Sequence, residues 1–204
     1  MILINYIYIN DRFVLEFDNG KKTKISYEKF NELNLSKNIP ISNEMYTVLI
    51  NEDNFENAKS KIFNYINFKL RTKKEIYNKL ISYKINEEQI KEIMDFLERN
   101  EVYNDKLYAK SYINDMLELK KWSIKKIKYE LIRKGIDEYL LEDIFYEMNI
   151  NDDIEFQNAL YLIKNKYKNM DFSNLEYKDK NKIYNYLSYR GFSYDTISSV
   201  IEAL

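Results

Sequence analysis

Residues 122–137 read Trp122-Ser123-Ile124-Lys125-Lys126-Ile127-Lys128-Tyr129-Glu130-Leu131-Ile132-Arg133-Lys134-Gly135-Ile136-Asp137. The stretch carries its own punctuation. Ser123 can cap a helix start, Ile124, Ile127 and Leu131 form one apolar stripe, and Gly135 can adopt the left-handed turn that ends a helix. Asp137 then offers the cap of the next helix. Sliding this pattern along the chain finds it again on both sides. A shift of about 51 residues pairs Ser123 with Thr72, Ile127 with Ile76, Leu131 with Leu80 and Asp137 with Asn86. A shift of about 56 the other way pairs the same positions with Asp179, Ile183, Leu187 and Ser193, and Gly135 with Gly191. Every expected helix start thus holds a residue able to accept free backbone N–H groups. Thr72-Lys73-Lys74-Glu75 also has the form of a capping box.

An upstream helix completes each unit, marked by Ala58 and Ile62, Ala109 and Ile113, and Ala159 and Ile163. The third of these sets arrives early, which places an insertion near Asn169–Tyr177. The reading is three tandem three-helix repeats at residues 51–103, 104–151 and 152–204, stacked into an elongated curved body. A fifty-residue unit buries little apolar surface alone, and stacking supplies the missing contacts.

Residues 1–50 differ. Phe13, Leu15 and Phe17 alternate at period two, and the preceding run from Ile2 to Ile9 has the same rhythm. Asn10-Asp11 and Asn19-Gly20 are turn pairs, the second leading into Lys22–Ile25. Ser26 can cap a short helix holding Phe30 and Leu33, and Pro40 breaks the chain before Ser42. These residues are expected to form a small antiparallel β-rich domain with one or two short helices. Both strand faces are fairly apolar, so the sheet is expected to pack against something.

Composition narrows the function. The chain of 204 residues has three glycines and one proline, so helix breakers are scarce and the fold is mainly α. It has neither histidine nor cysteine, which removes the usual zinc sites, Ser-His-Asp triads, Cys-His dyads and disulfides. No phosphate-binding glycine loop can be built from Gly20, Gly135 and Gly191. No cofactor and no catalytic site are expected. No apolar run is long enough to cross a membrane, no signal-peptide pattern opens the chain, and a cytoplasmic setting is expected. Charge follows the repeats: Lys59–Lys84 holds eight cations and one acid, Lys120–Lys134 seven and one, and Asp137–Glu155 eight acids and no cation. The net charge of −1 conceals two basic stretches.

Several of these residues resemble a known family. Ile127-x-x-Glu130-Leu131-x-x-Lys134-Gly135-Ile136 looks like the central signature of the RecX regulatory proteins. Leu70-Arg71-Thr72-Lys73-Lys74-Glu75-Ile76-x-x-Lys79-Leu80 is similar to it one repeat earlier, and Val102-Tyr103-Asn104-Asp105-x-x-Tyr108-Ala109 resembles the family's aromatic, acidic and Phe/Tyr-Ala segment. Lys84 departs from the pattern, standing where the later repeats have glycine. The third repeat matches weakly beyond Leu187-x-x-Arg190-Gly191. The resemblance implies a non-enzymatic, monomeric modulator in recombination and DNA repair that binds the RecA–DNA filament in its groove. It also implies inhibition of strand exchange and the coupled ATPase, with DNA contacted directly or through RecA.

Candidate contacts are Arg71, Lys73, Lys74, Lys120, Lys121, Lys125, Lys126, Lys128, Arg133 and Lys134. On a helical wheel Lys126 and Arg133 lie opposite the Ile127/Leu131 stripe, and Lys125 and Lys128 flank it. Such a basic face suits DNA phosphates or an acidic protein surface; it equally suits a solvated face or pairing with the acidic helices. Trp122 reads as a packing residue at the helix entry before it reads as a partner contact. Tyr83-Lys84 and Tyr189-Arg190 resemble base-stacking pairs, though twenty tyrosines make coincidence easy. Asp152-Asp153-x-Glu155 reads as a solvated linker rather than a metal cluster. The rival function is a tandem helical nucleic-acid-binding module with no RecA partner; against it, no helix carries an Arg/Asn/Gln set for base reading.

Overall fold

The computed structural model describes residues 1–204, apart from the side chain of Asp152. Strands β1 (Ile2–Ile9), β2 (Arg12–Phe17), β3 (Lys22–Ser26) and the two-residue β4 (Ile39–Pro40) form an antiparallel sheet in the order β3-β2-β1-β4. Asn10 and Asp11 both take positive φ, as a two-residue hairpin loop with right-handed strand twist requires. Pro40, which lacks an N–H, lies on the outermost strand. Leu3, Leu15, Phe17 and Ile25 are buried with Phe30 of α1 (Tyr27–Glu32) and Leu49 of α2 (Asn43–Phe68). Only one sheet face is covered in this way. Ile7 and Ile9, which pair with Val14 and Arg12, remain exposed.

Helix α2 starts well before the helical pattern becomes evident at residue 51, because the Ser42 side chain accepts from Met45 N and caps it. It runs for 26 residues without a break. The same helix gives Leu49 to the sheet core and Phe55, Ala58 and Ile62 to the next core.

The remaining helices are α3 (Lys73–Ile81), α4 (Glu87–Arg99), α5 (Asp105–Glu118), α6 (Ile124–Arg133), α7 (Glu138–Glu147), α8 (Asp152–Lys166), α9 (Tyr177–Tyr189) and α10 (Tyr194–Glu202). Three helices surround each later core. Ala58, Ile62, Ile76, Leu80 and Ile93 belong to one, Ala109, Ile113, Ile127, Leu131 and Ile144 to the second, and Ala159, Ile163, Ile183, Leu187 and Ile197 to the third. The periodic stripes are therefore core faces. Asn86, Ser123, Asp137 and Ser193 cap their helices through the side chain, and Asn86 with Gln89 closes a full capping box.

Asp179 does not cap α9. The inserted segment folds through a short 3-10 turn (Phe172–Asn174) and delivers the chain into α9 at Tyr177, with Glu176 at the cap position and no side-chain cap bond. Asp179 falls in the first turn, where a negative charge suits the helix dipole, and holds Lys182 at 2.8 Å. The Asp152-Asp153-x-Glu155 stretch is no linker either. It is the first turn of α8, and Glu155 is buried because its carboxylate accepts from Ile124 N at 3.0 Å; the Asp152 side chain lies outside the described residues.

The chain divides into two compact units, Met1–Leu70 with Glu75–Tyr103, and Arg71–Lys74 with Asn104–Leu204. The division passes through the first turn of α3, so Arg71–Lys74 belong with the second unit.

Candidate functional site

The placement of Arg71–Lys74 follows from hydrogen bonds at the start of α3. The Thr72 hydroxyl donates to the Lys134 carbonyl at 2.8 Å, and the Lys74 ammonium donates to the Arg133 carbonyl at 3.1 Å. Asp105, at the start of α5, accepts from Lys73 N at 2.9 Å. These contacts satisfy orphan carbonyls at the end of α6 and an orphan amide at the start of α3. Gly135 makes the approach possible: at φ +90 it ends α6, and a Cβ there would sit 2.5 Å from Lys74 Cβ.

The same junction recurs one repeat later. The Ser123 hydroxyl donates to the Arg190 carbonyl at 3.1 Å while accepting from Lys126 N at 3.3 Å. Glu155 takes the role of Asp105 at Ile124 N, and a Cβ on Gly191 would sit 2.8 Å from Ser123 Oγ. The glycines at 135 and 191 thus serve a left-handed φ and a close approach together. Lys84, at the equivalent place in the first repeat, is outside the left-handed region and faces no such demand. Sequence reading missed Asp105 and Glu155 as helix-start partners. Their signal was available: they are aligned by the same 50-residue shift that aligns Ala109 with Ala159.

This geometry brings Arg71, Lys73 and Lys74 beside Arg133 and Lys134, at the end of α6. Lys120, Lys121, Lys125 and Lys126 lie at its other end, near Arg190. Lys73, Lys74, Lys120, Lys125 and Arg133 are exposed, and the other five candidates are half-buried. Among the described residues, Lys120 and Lys125 have no ion-pair partner. Arg133 pairs with Glu130 in its own helix at 3.1 Å and lies over the Tyr129 ring.

The half-buried cations are structurally engaged. Lys126 does not point away from the fold as the wheel suggests: its ammonium lies 4.1 Å from the centre of the Trp122 ring, and its Cβ is 3.6 Å from a Cβ placed on Gly191. Trp122 itself packs against the second core. Lys128 pairs with Glu142 at 2.6 Å and lies over Phe145, which is the pairing with the acidic helix that the charge pattern allows. Lys121 lies over Tyr161, and Lys134 over Tyr108 and Tyr112. Burial of Tyr112 raises its pKa above the ordinary tyrosine value.

The tyrosine–cation neighbours that resembled stacking pairs have their rings and charges engaged elsewhere. Tyr83 is half-buried beneath Lys61 and Lys79, and Arg190 lies over Tyr186 rather than Tyr189. Among the described residues no group of three or more acidic side chains is placed to hold a metal ion, and no helix is long and apolar enough to cross a membrane.

Three-helix domains in tandem match known proteins. A family model for the second three-helix domain of RecX matches residues 104–143, and one for the third matches residues 153–201. The regulatory protein RecX of Finegoldia magna is 33% identical over 190 residues, covering 93% of this chain and 92% of that protein. The chain belongs to the RecX family. Its RecX counterpart in Clostridioides difficile is 30% identical over 202 residues, covering 97% and 88%. The crystal structure of RecX from Lactobacillus salivarius superposes with a TM-score of 0.63 at 33% identity, over 74% of this chain and 97% of that one. A further RecX crystal structure covers 98% of both chains with a TM-score of 0.67 at 20% identity, which speaks for the fold. The junction residues and the exposed cations therefore sit on a RecX scaffold.

Proposed function

We propose that this RecX-family chain regulates RecA recombinase by binding the RecA–DNA filament, lowering its ATPase and strand-exchange activity without catalysis of its own. The observation that carries the reading is the junction at the end of α6. Cations from the start of α3 and the end of α6 meet there, through the Lys74–Arg133 and Thr72–Lys134 hydrogen bonds that span 59 and 62 residues and through the close approach at Gly135. An exposed set of Lys73, Lys74, Lys125 and Arg133 along α6 suits a polyanionic partner, since each phosphate neutralised releases condensed counterions. Family membership supports RecA as the protein component. Its organisation is proposed to be an N-terminal sheet domain followed by three repeats. The test is RecA-catalysed ATP hydrolysis on single-stranded DNA, followed while this protein is added from substoichiometric to equimolar amounts. A graded fall in hydrolysis is expected; unchanged hydrolysis together with no filament binding overturns the proposal.

A further inference from the structure

Two large apolar side chains stand in solvent at equivalent places. Phe68, the last residue of α2, is 83% exposed, and Leu119, which follows the last turn of α5, is 74% exposed. The 51-residue shift that aligns the repeats superposes one on the other. The residue after each is also repeated: Lys69 and Lys120 are both exposed, and neither has an ion-pair partner among the described residues. Single exposed apolar residues are ordinary on protein surfaces. The same apolar–lysine pair, in the same register, at the end of the first helix of two repeats, is a more specific feature. Folding does not account for it, because neither side chain joins a core.

We propose that Phe68-Lys69 and Leu119-Lys120 are two copies of one docking element that engages protein. Its target is an apolar recess bordered by a carboxylate. Phe and Leu share hydrophobicity and little else. A nucleic-acid base is held by stacking on a π face, which Leu119 lacks, so an aliphatic side chain at one copy favours a recess in a protein. The lysine beside it supplies charge complementarity to an acidic rim. This inference rests on the filament reading and deepens it: the apolar–lysine pairs contact the recombinase, while the cations at the α6 junction face polyanion. Contact would bury two side chains that are now hydrated, the kind of anchor that dominates an interface.

The experiment compares wild type with the double variant Phe68→Ser/Leu119→Ser, and separately with Lys69→Glu/Lys120→Glu. Each is titrated onto bare single-stranded DNA and onto RecA-coated single-stranded DNA at one salt concentration, with far-UV circular dichroism and Tm recorded. The expected result is an affinity for the coated filament lowered about tenfold or more by each double variant. Affinity for bare DNA should stay unchanged for the serine pair, and Tm should hold within about 2 °C of wild type, since both residues are exposed. Equal filament binding by wild type and the serine variant, with wild type binding well, overturns the docking element alone. A parallel loss on bare DNA by the serine variant assigns the residues to nucleic acid and also overturns it. Failure of the wild-type protein to bind the filament overturns the underlying reading.

Discussion

At the scale of single residues, Gly135 and Gly20 separate two reasons for glycine. Both have positive φ, but Gly20 has open space around it while Gly135 abuts Lys74. Gly20→Ala should cost about 1 kcal/mol, and Gly135→Ala about 2–4 kcal/mol, because the second adds a clash to the strain. Urea unfolding of the two variants checks the difference. Glu147 gives a pH prediction. Hydrogen bonds from Lys106 at 2.6 Å, and then Lys110, hold its carboxyl at about 2, below the ordinary value of 4.5. The folded value lies below the unfolded one, so its small contribution to stability is present above about pH 4.5 and is lost as pH falls towards 2. Carboxyl-carbon NMR should find Glu147 still ionised at pH 3.5, and Glu147→Gln should flatten this part of the acid-stability curve. Charge and ring also exchange places between repeats. Lys61 lies over Tyr83 in the first, and Lys134 over Tyr112 in the second, with cation and ring swapped at aligned positions. A cation–π contact is indifferent to which partner sits on which helix.

At the scale of elements, the stripes, most caps and the glycine stops were legible because each is a local rule: side-chain period, N-cap acceptor, left-handed turn. Ser123 illustrates where local rules end. Its capping role is readable from Ser-x-x beside an apolar stripe, whereas its bond to the Arg190 carbonyl spans 67 residues and has no local mark. Asp105 and Glu155 were hidden for the same reason, and Lys126 looked outward because a wheel drawn for one helix ignores the neighbour at Gly191. The insertion before α9 was visible, but the three-residue change in helix start was not, since Asp179 satisfies the cap pattern without being used as one. Ser123→Ala removes a cap and strands a carbonyl, so it should cost about 2–3 kcal/mol. Ser193→Ala removes an exposed cap and should cost about 1 kcal/mol. Denaturant titration of both tests whether the junction contributes beyond capping.

At the scale of the molecule, mainly helical repeats behind a small antiparallel sheet could be read from composition and internal repetition. The start of α2 could not, because its first two turns lie in a stretch whose helical period emerges only later, and one uninterrupted helix serves two cores. For the candidate site, the list of cations was legible, but their division was not: exposure selects Lys125 and Arg133, while Trp122 and Gly191 occupy Lys126. Lys125→Glu/Arg133→Glu should weaken inhibition of RecA ATP hydrolysis severalfold and leave Tm nearly unchanged. Lys126→Glu should lower Tm by about 2–4 °C through the lost ring contact. The most direct measurement of the central claim is the affinity for single-stranded DNA with and without a RecA coat, at equal salt. Binding to the coated strand at least about tenfold tighter is the predicted result; equal or tighter binding to bare DNA, falling steeply with salt, would contradict it.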